Sequence, residues 1–182
     1  MAKVPMTARR LRLACIYLEP EIQARLVLVT SDLGWPQKNT VQQFIHAHMK
    51  RYHPYWVRAA LADAAARGMD EETYYRALRD GEPELERYRG SRPAFETSPV
   101  AKIPEVSVSE KNRIDYNWVT LSPCSYTLLK VAHIVEGGPM TQLVSRFVVK
   151  HFQDYWEAVY LPQIGLNRQC RFRPNKSPDQ AD

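Results

Sequence analysis

The feature that most constrains this chain is a repeat. Asp115-Tyr116-Asn117-Trp118-Val119-Thr120-Leu121 is rich in aromatic and β-branched residues and suits a strand. Ser122-Pro123 then starts a helix, the serine as cap and the proline in the first turn. Leu128, Leu129, Ala132 and Val135 follow at helical spacing, and Gly137-Gly138 ends the segment. Pro139-Met140-Thr141 opens a second helix with Val144, Phe147, Val148 and Phe152 as its apolar stripe. The same order occurs earlier. Leu11 to Leu18 reads as a strand, Glu19-Pro20 starts a helix with Ile22, Leu26 and Val29, and Gly34 ends it. Val41, Phe44, Ile45 and Met49 stripe the next helix. A shift of 103 positions, the separation of Leu18 and Leu121, superposes the two stretches without a gap. Gly34 meets Gly137, Pro36 meets Pro139, Phe44 meets Phe147, His48 meets His151 and Tyr52 meets Tyr155. Such a match points to internal duplication.

The rest of the chain is organised around these two units. Residues 1–10 hold Lys3, Arg9 and Arg10, with Arg12 just beyond, and read as a basic N-terminal arm. The first repeat covers 11–53. In its strand, alternation sends Ala14, Ile16 and Leu18 toward the helices and Leu13, Cys15 and Tyr17 outward. Residues 54–89 form a helical insert: Trp56, Ala60, Leu61 and Ala64 share one side, Gly68 breaks the helix, and Asp70 caps the next. Tyr74, Tyr75 and Leu78 pack inward there, and Glu82 to Tyr88 adds a short third piece. From Asp63 to Arg89 eight acidic residues outnumber five basic ones, which disfavours DNA and favours packing or a protein partner. Residues 90–113, with Pro93, Pro99 and Pro104, read as an extended linker. The second repeat covers 114–162, its last helix stopping near Pro162. Residues 163–182 read as a basic tail with Arg168, Arg171, Arg173 and Lys176.

Composition excludes more than it selects. A net charge of +5 and a pI near 9.2 are compatible with nucleic acid. Cys15, Cys124 and Cys170 are far apart and form no CxxC pair, so a reducing, cytoplasmic setting without disulfides or zinc is expected. No signal peptide and no membrane-spanning run is legible. There is no glycine-rich phosphate loop, and the five histidines make no metal pattern. Cys124 near a helix start has no histidine placed by sequence to activate it. The expectation is a protein without cofactor or metal that is not an enzyme.

A short strand, a helix, a tight turn and a second helix resembles the unit of the ribbon-helix-helix superfamily, the Arc, MetJ and CopG-like repressors. The likeness is carried by Trp118 to Pro123, by Gly137 to Thr141, and by Val144, Val148 and Phe152. A lone strand has unpaired backbone groups and a lone helix pair has an open apolar side. The resemblance therefore implies a mainly α fold with a short antiparallel two-stranded ribbon, an intramolecular pseudo-dimer in one chain. It implies that the ribbon enters the major groove and that the second-helix N-termini meet phosphates. Carried over by position, base-reading candidates are Leu13, Cys15 and Tyr17, then Tyr116, Trp118 and Thr120. Phosphate candidates are Gln37, Lys38 and Asn39, then Met140 and Thr141. Arg9, Arg10, Arg12 and the C-terminal arginines would add phosphate clamping.

The resulting expectation is a double-stranded DNA-binding protein, a transcriptional repressor or a plasmid or conjugation accessory factor. None of the six outward ribbon candidates is charged. That supports a second reading, a protein-interaction module that keeps the fold and takes its partner on the outward ribbon or the 54–89 insert.

Overall fold

Two stretches far apart in the chain zip into a single antiparallel ribbon. In the computed structural model, which describes residues 8–80, 85 and 92–172, β1 (Arg9–Arg12) pairs with β4 (Trp118–Leu121). β2 (Cys15–Tyr17) pairs with β3 (Arg113–Asp115). One register runs throughout, from Arg9 opposite Leu121 to Tyr17 opposite Arg113. Between the two ladders, Leu13 N–H donates to Asn117 O at 3.1 Å and Tyr116 N–H to Ala14 O at 2.8 Å. The 103-residue shift carries Leu13 to Tyr116 and Ala14 to Asn117, so it exchanges these two bonds. Strand pairing thus starts at Arg9, and the expected basic arm is in part a strand. Lys3 lies outside the described residues.

The remainder is helical, so the fold is mainly α with a short antiparallel two-stranded ribbon. α1 (Pro20–Asp32) and α2 (Gln37–Arg51) follow the first arm of the ribbon, and α5 (Pro123–Glu136) and α6 (Met140–Tyr155) follow the second. Local chemistry sets these bounds. Ser122 Oγ accepts from Ser125 N–H at 3.2 Å at the start of α5. Gly34 and Gly137 take φ of 69° and 70° in the two interhelix turns, a region that L side chains rarely enter.

The ribbon and the four helices share one core. Leu11, Ile16, Leu18, Val119 and Leu121 from the strands meet Phe44, Ile45, Phe147, Val148 and Phe152 from α2 and α6. Each such fully buried side chain contributes about 1.5–3 kcal/mol. His48 stacks on Phe147 with centroids 4.0 Å apart and planes 16° apart, and His151 stacks on Phe44 at 4.0 Å and 16°. Gln42 Oε1 accepts from Thr120 N–H at 3.1 Å, and Ser145 Oγ accepts from Tyr17 N–H at 2.8 Å. The shift exchanges both members of each set.

Beyond each second helix the chain continues and covers the first helix of the other half. α2 turns at Tyr52 into α3 (His53–Ala66), which packs on α5 together with α4 (Glu71–Asp80). α6 passes through a π turn, Trp156–Tyr160, into α7 (Leu161–Phe172), which packs on α1. The helix does not stop near Pro162. Proline stands in the first turn of α7, where an amide hydrogen is dispensable, and Leu161 N–H reaches back to Trp156 O. The first part of the expected tail, through 172, is therefore helix. Arg168 grips Asp32 twice, at 3.1 and 2.8 Å, and Arg171 donates to Asp32 O at 2.9 Å.

The insert and the linker differ in detail from their sequence patterns. On α3 the buried side is Trp56, Ala59, Ala60, Asp63 and Ala64, whereas Leu61 is 42% exposed, since it stands one step around the helix from that stripe. Asp70 caps α4, accepting from Thr73 N–H at 3.0 Å, and Tyr74 and Leu78 are buried. Of the third piece expected over 82–88, only Leu85 lies within the described residues. The described part of the linker is docked rather than loose. Val100, Ile103 and Val106 are buried, Arg92 donates to Val135 O at 2.6 Å, and Tyr55 Oη donates to Glu96 O at 2.7 Å. Ser109 then caps a short helical turn, Glu110–Asn112, that leads into β3. Among the described residues no helix is long and apolar enough to cross a membrane.

Candidate nucleic-acid interface

Residues opposite one another in an antiparallel ladder point to the same face. On the face turned away from the helices, Arg12 stands opposite Trp118 and Arg10 opposite Thr120. Both arginines are exposed, and Trp118 and Thr120 are half-buried. The Arg10 guanidinium lies over the Trp118 ring, 5.0 Å from its centroid, which holds the cation flat on the surface. In the other half of the ribbon Asp115 stands opposite Cys15 and Arg113 opposite Tyr17. Arg113 Nε donates to Asp115 Oδ1 at 2.7 Å and its guanidinium lies 3.6 Å from Glu110. Ala14 and Asn117 are exposed at the centre.

Three of the expected base readers need correcting. Leu13 is 1% exposed and Cys15 5%, while Ala14, expected inside, is exposed. Strict alternation from Ile16 and Leu18 back to Leu11 does not hold. Leu11 and Leu13 face the core, then Ile16 and Leu18 do, so the inward positions change from odd to even at the ribbon centre. The second arm changes likewise, from Ile114 and Tyr116 to Val119 and Leu121. Two-stranded ribbons twist strongly, and the change falls between the two ladders. Tyr116 turns inward, its hydroxyl donating to Gln37 O at 3.3 Å, and burial pushes its phenol pKa up. Tyr17 stays half-buried, and the nearby Cys15 thiol, with burial, raises its pKa.

The N-termini of α2 and α6 flank this face. Gln42 and Ser145, each one turn in from a helix start, bind the backbone of Thr120 and Tyr17, so each ribbon end is tied beside one N-terminus. Neither helix has a side chain capping its first turn. Free first-turn N–H groups and the helix dipole suit an anion. Lys38 and Asn39 are exposed beside the α2 terminus, whereas Met140 and Thr141 are half-buried at that of α6.

Other expected contacts are engaged elsewhere. Arg9 lies 3.5 Å from Asp80 at the end of α4. Arg168 and Arg171 are held by Asp32, and that pairing pulls the Asp32 carboxyl below the usual range. Both are therefore structural, fastening α7 to α1. Arg173 lies outside the described residues. The sequence reading missed Arg113, Asp115 and Asn117 on the outward face. The signal was available: the same shift places Arg113 where Arg10 stands.

α3 and α4 lie on α5 and leave a cleft of about 780 Å³ lined by Val57, Tyr75, Arg76, Cys124 and Leu128 among others. His46 Nδ1 and Ser125 Oγ share a hydrogen bond of 2.7 Å, which joins α2 to α5; burial lowers the His46 pKa. Among the described residues no group of three His, Cys, Asp or Glu could hold a metal ion. No family model, curated protein or solved structure matches the chain.

Proposed function

We propose that the chain is a double-stranded DNA-binding protein whose two halves form an intramolecular ribbon-helix-helix pseudo-dimer. The observation that carries this reading is the outward ribbon face, where Arg10 and Arg12 stand exposed beside Trp118 and Thr120 with no carboxylate paired to either arginine among the described residues. A two-stranded ribbon fits the major groove, and an arginine there reaches guanine O6 and N7. The uncapped N-termini of α2 and α6 support phosphate contacts on either side of the ribbon, with Lys38 beside the first. The pseudo-dimer is supported by the exchange, under one shift, of the ribbon register, the His–Phe stacks and the helix-to-strand hydrogen bonds. The protein-interaction reading is less favoured by this face, because Leu13 and Cys15 are buried and Arg10 and Arg12 are exposed.

A salt titration of binding to random-sequence duplex DNA tests this. Each phosphate-neutralising cation contributes a log–log slope of about −0.9, so Arg10, Arg12 and Lys38 together predict roughly −3. Lys38→Ala should weaken all duplexes alike and lower the slope by about 1, whereas Arg12→Ala should also relax sequence preference. Binding that ignores salt, or none at low salt, defeats the proposal.

A further inference from the structure

The two halves of the ribbon are built alike and decorated differently. The 103-residue shift sets Arg10 against Arg113, Arg12 against Asp115, Ala14 against Asn117, and Tyr17 against Thr120. At the flanking helix starts it sets Lys38 against Thr141. One half therefore gathers Arg10, Arg12 and Lys38, with Thr120 tied by its backbone to α2. In the other half the arginine is occupied: Arg113 holds Asp115 at 2.7 Å and Glu110 at 3.6 Å. The most telling position is the equivalent pair Arg12 and Asp115, where the charge changes sign on the same outward face.

We infer that this protein takes a non-palindromic duplex in one direction only, with the Arg10, Arg12 and Lys38 half on a guanine-containing half-site. The inference rests on the DNA-binding reading above and names the kind of site it binds. A guanidinium in the major groove donates to guanine O6 and N7, whereas a carboxylate repels phosphate and accepts only from donors such as the cytosine amino group. Two half-sites read by Arg12 and by Asp115 cannot be the same sequence. A homodimer of one unit would read an inverted repeat, because its two halves are identical.

Selection from a random-sequence duplex library with the full chain tests this, followed by affinities on the selected site. The expected product has one guanine-containing half-site and a dissimilar second one. Arg12→Ala should lose about tenfold or more on it, the weight of one good bidentate contact, and should lose at least about threefold more than Arg113→Ala. Asp115→Arg should shift selection toward an inverted repeat of the guanine half-site, with far-UV circular dichroism checking that the variant is folded. An inverted repeat selected by the unaltered chain overturns the directional inference and leaves DNA binding standing. So does equal loss from Arg12→Ala and Arg113→Ala, or a folded Asp115→Arg protein with unchanged selection. A library from which no duplex is retained overturns both readings.

Discussion

Mild acid should loosen this protein, because His48 and His151 are stored neutral in its core. Each lies flat against a phenylalanine of the opposite half, at 4.0 Å. Burial lowers the His48 pKa to about 3 and the His151 pKa to about 4. Lys150 and Arg51 add to the lowering at His48, and Asp154 opposes it. His48 Nε2 has no hydrogen-bond partner among the described residues, so an added proton finds no acceptor there. The unfolded chain takes up these protons near pH 6.5 and the folded chain does not. Stability is therefore full above about pH 6.5 and falls as the pH drops toward the folded values. At pH 5, about 1.5 units below the unfolded pKa, each imidazole costs about 2 kcal/mol, and the pair about 4 kcal/mol. For a chain of this length that lowers Tm by roughly 8–16 °C. The lowered carboxyls of Asp32, Asp70 and Asp80 act in the same direction only at more acidic pH. Calorimetry at pH 7 and pH 5 reads the difference. His48→Phe keeps an aromatic stack and should remove about half of it. A fall below about 3 °C, or a His48 imidazole that titrates near 6.5 by NMR, would refute the reasoning.

Two further outcomes follow from single residues. Gly137 sits at φ 70° and ψ −168° with nothing within 4 Å of the place where a Cβ would stand, so Gly137→Ala strains only its own backbone. That should cost about 1–3 kcal/mol in urea unfolding, with an unchanged m-value. Asp63 is fully buried, accepting from Arg67 Nε at 2.9 Å and Tyr74 Oη at 2.6 Å. Asp63→Ala removes the buried acceptor that Arg67 and Tyr74 share and should cost about 1–3 kcal/mol, seen as early loss of α3 and α4 protection in hydrogen exchange.

The parts of the fold that were legible are those that both halves need alike. Gly34 and Gly137, with Phe44 and Phe147, must recur at one spacing because both halves need the same turn and the same core contact. The outward face was harder to read. Arg9 to Arg12 looks like a solvated arm until the partner strand is known, since arginine has little strand preference of its own. The inward positions then change from odd to even at the ribbon centre, which no alternation rule anticipates. α7 was hidden for another reason. The π turn over 156–160 shifts the helical phase, so the repeat stops matching where the structure continues it. The grip of Arg168 on Asp32 joins residues whose sequence neighbourhoods share no pattern.

The asymmetry on the ribbon has a counterpart at the far end of the core. Arg51 and Asp154 are equivalent under the repeat shift, and they face each other at 3.1 Å between the equivalent tyrosines Tyr52 and Tyr155. The Arg51 guanidinium lies 5.4 Å from one ring and 5.2 Å from the other. Two copies of the first half alone would bring arginine against arginine here, and two of the second, aspartate against aspartate. Each half is thus fitted to the other and not to itself. A covalent linker makes that tenable, because it supplies the partner at high effective concentration whatever the affinity between separate units. In the proposed pseudo-dimer self-pairing is not required, and equivalent positions can differ in sign. Arg51 and Asp154 do so where the halves meet, and Arg12 and Asp115 do so on the outward face of the ribbon.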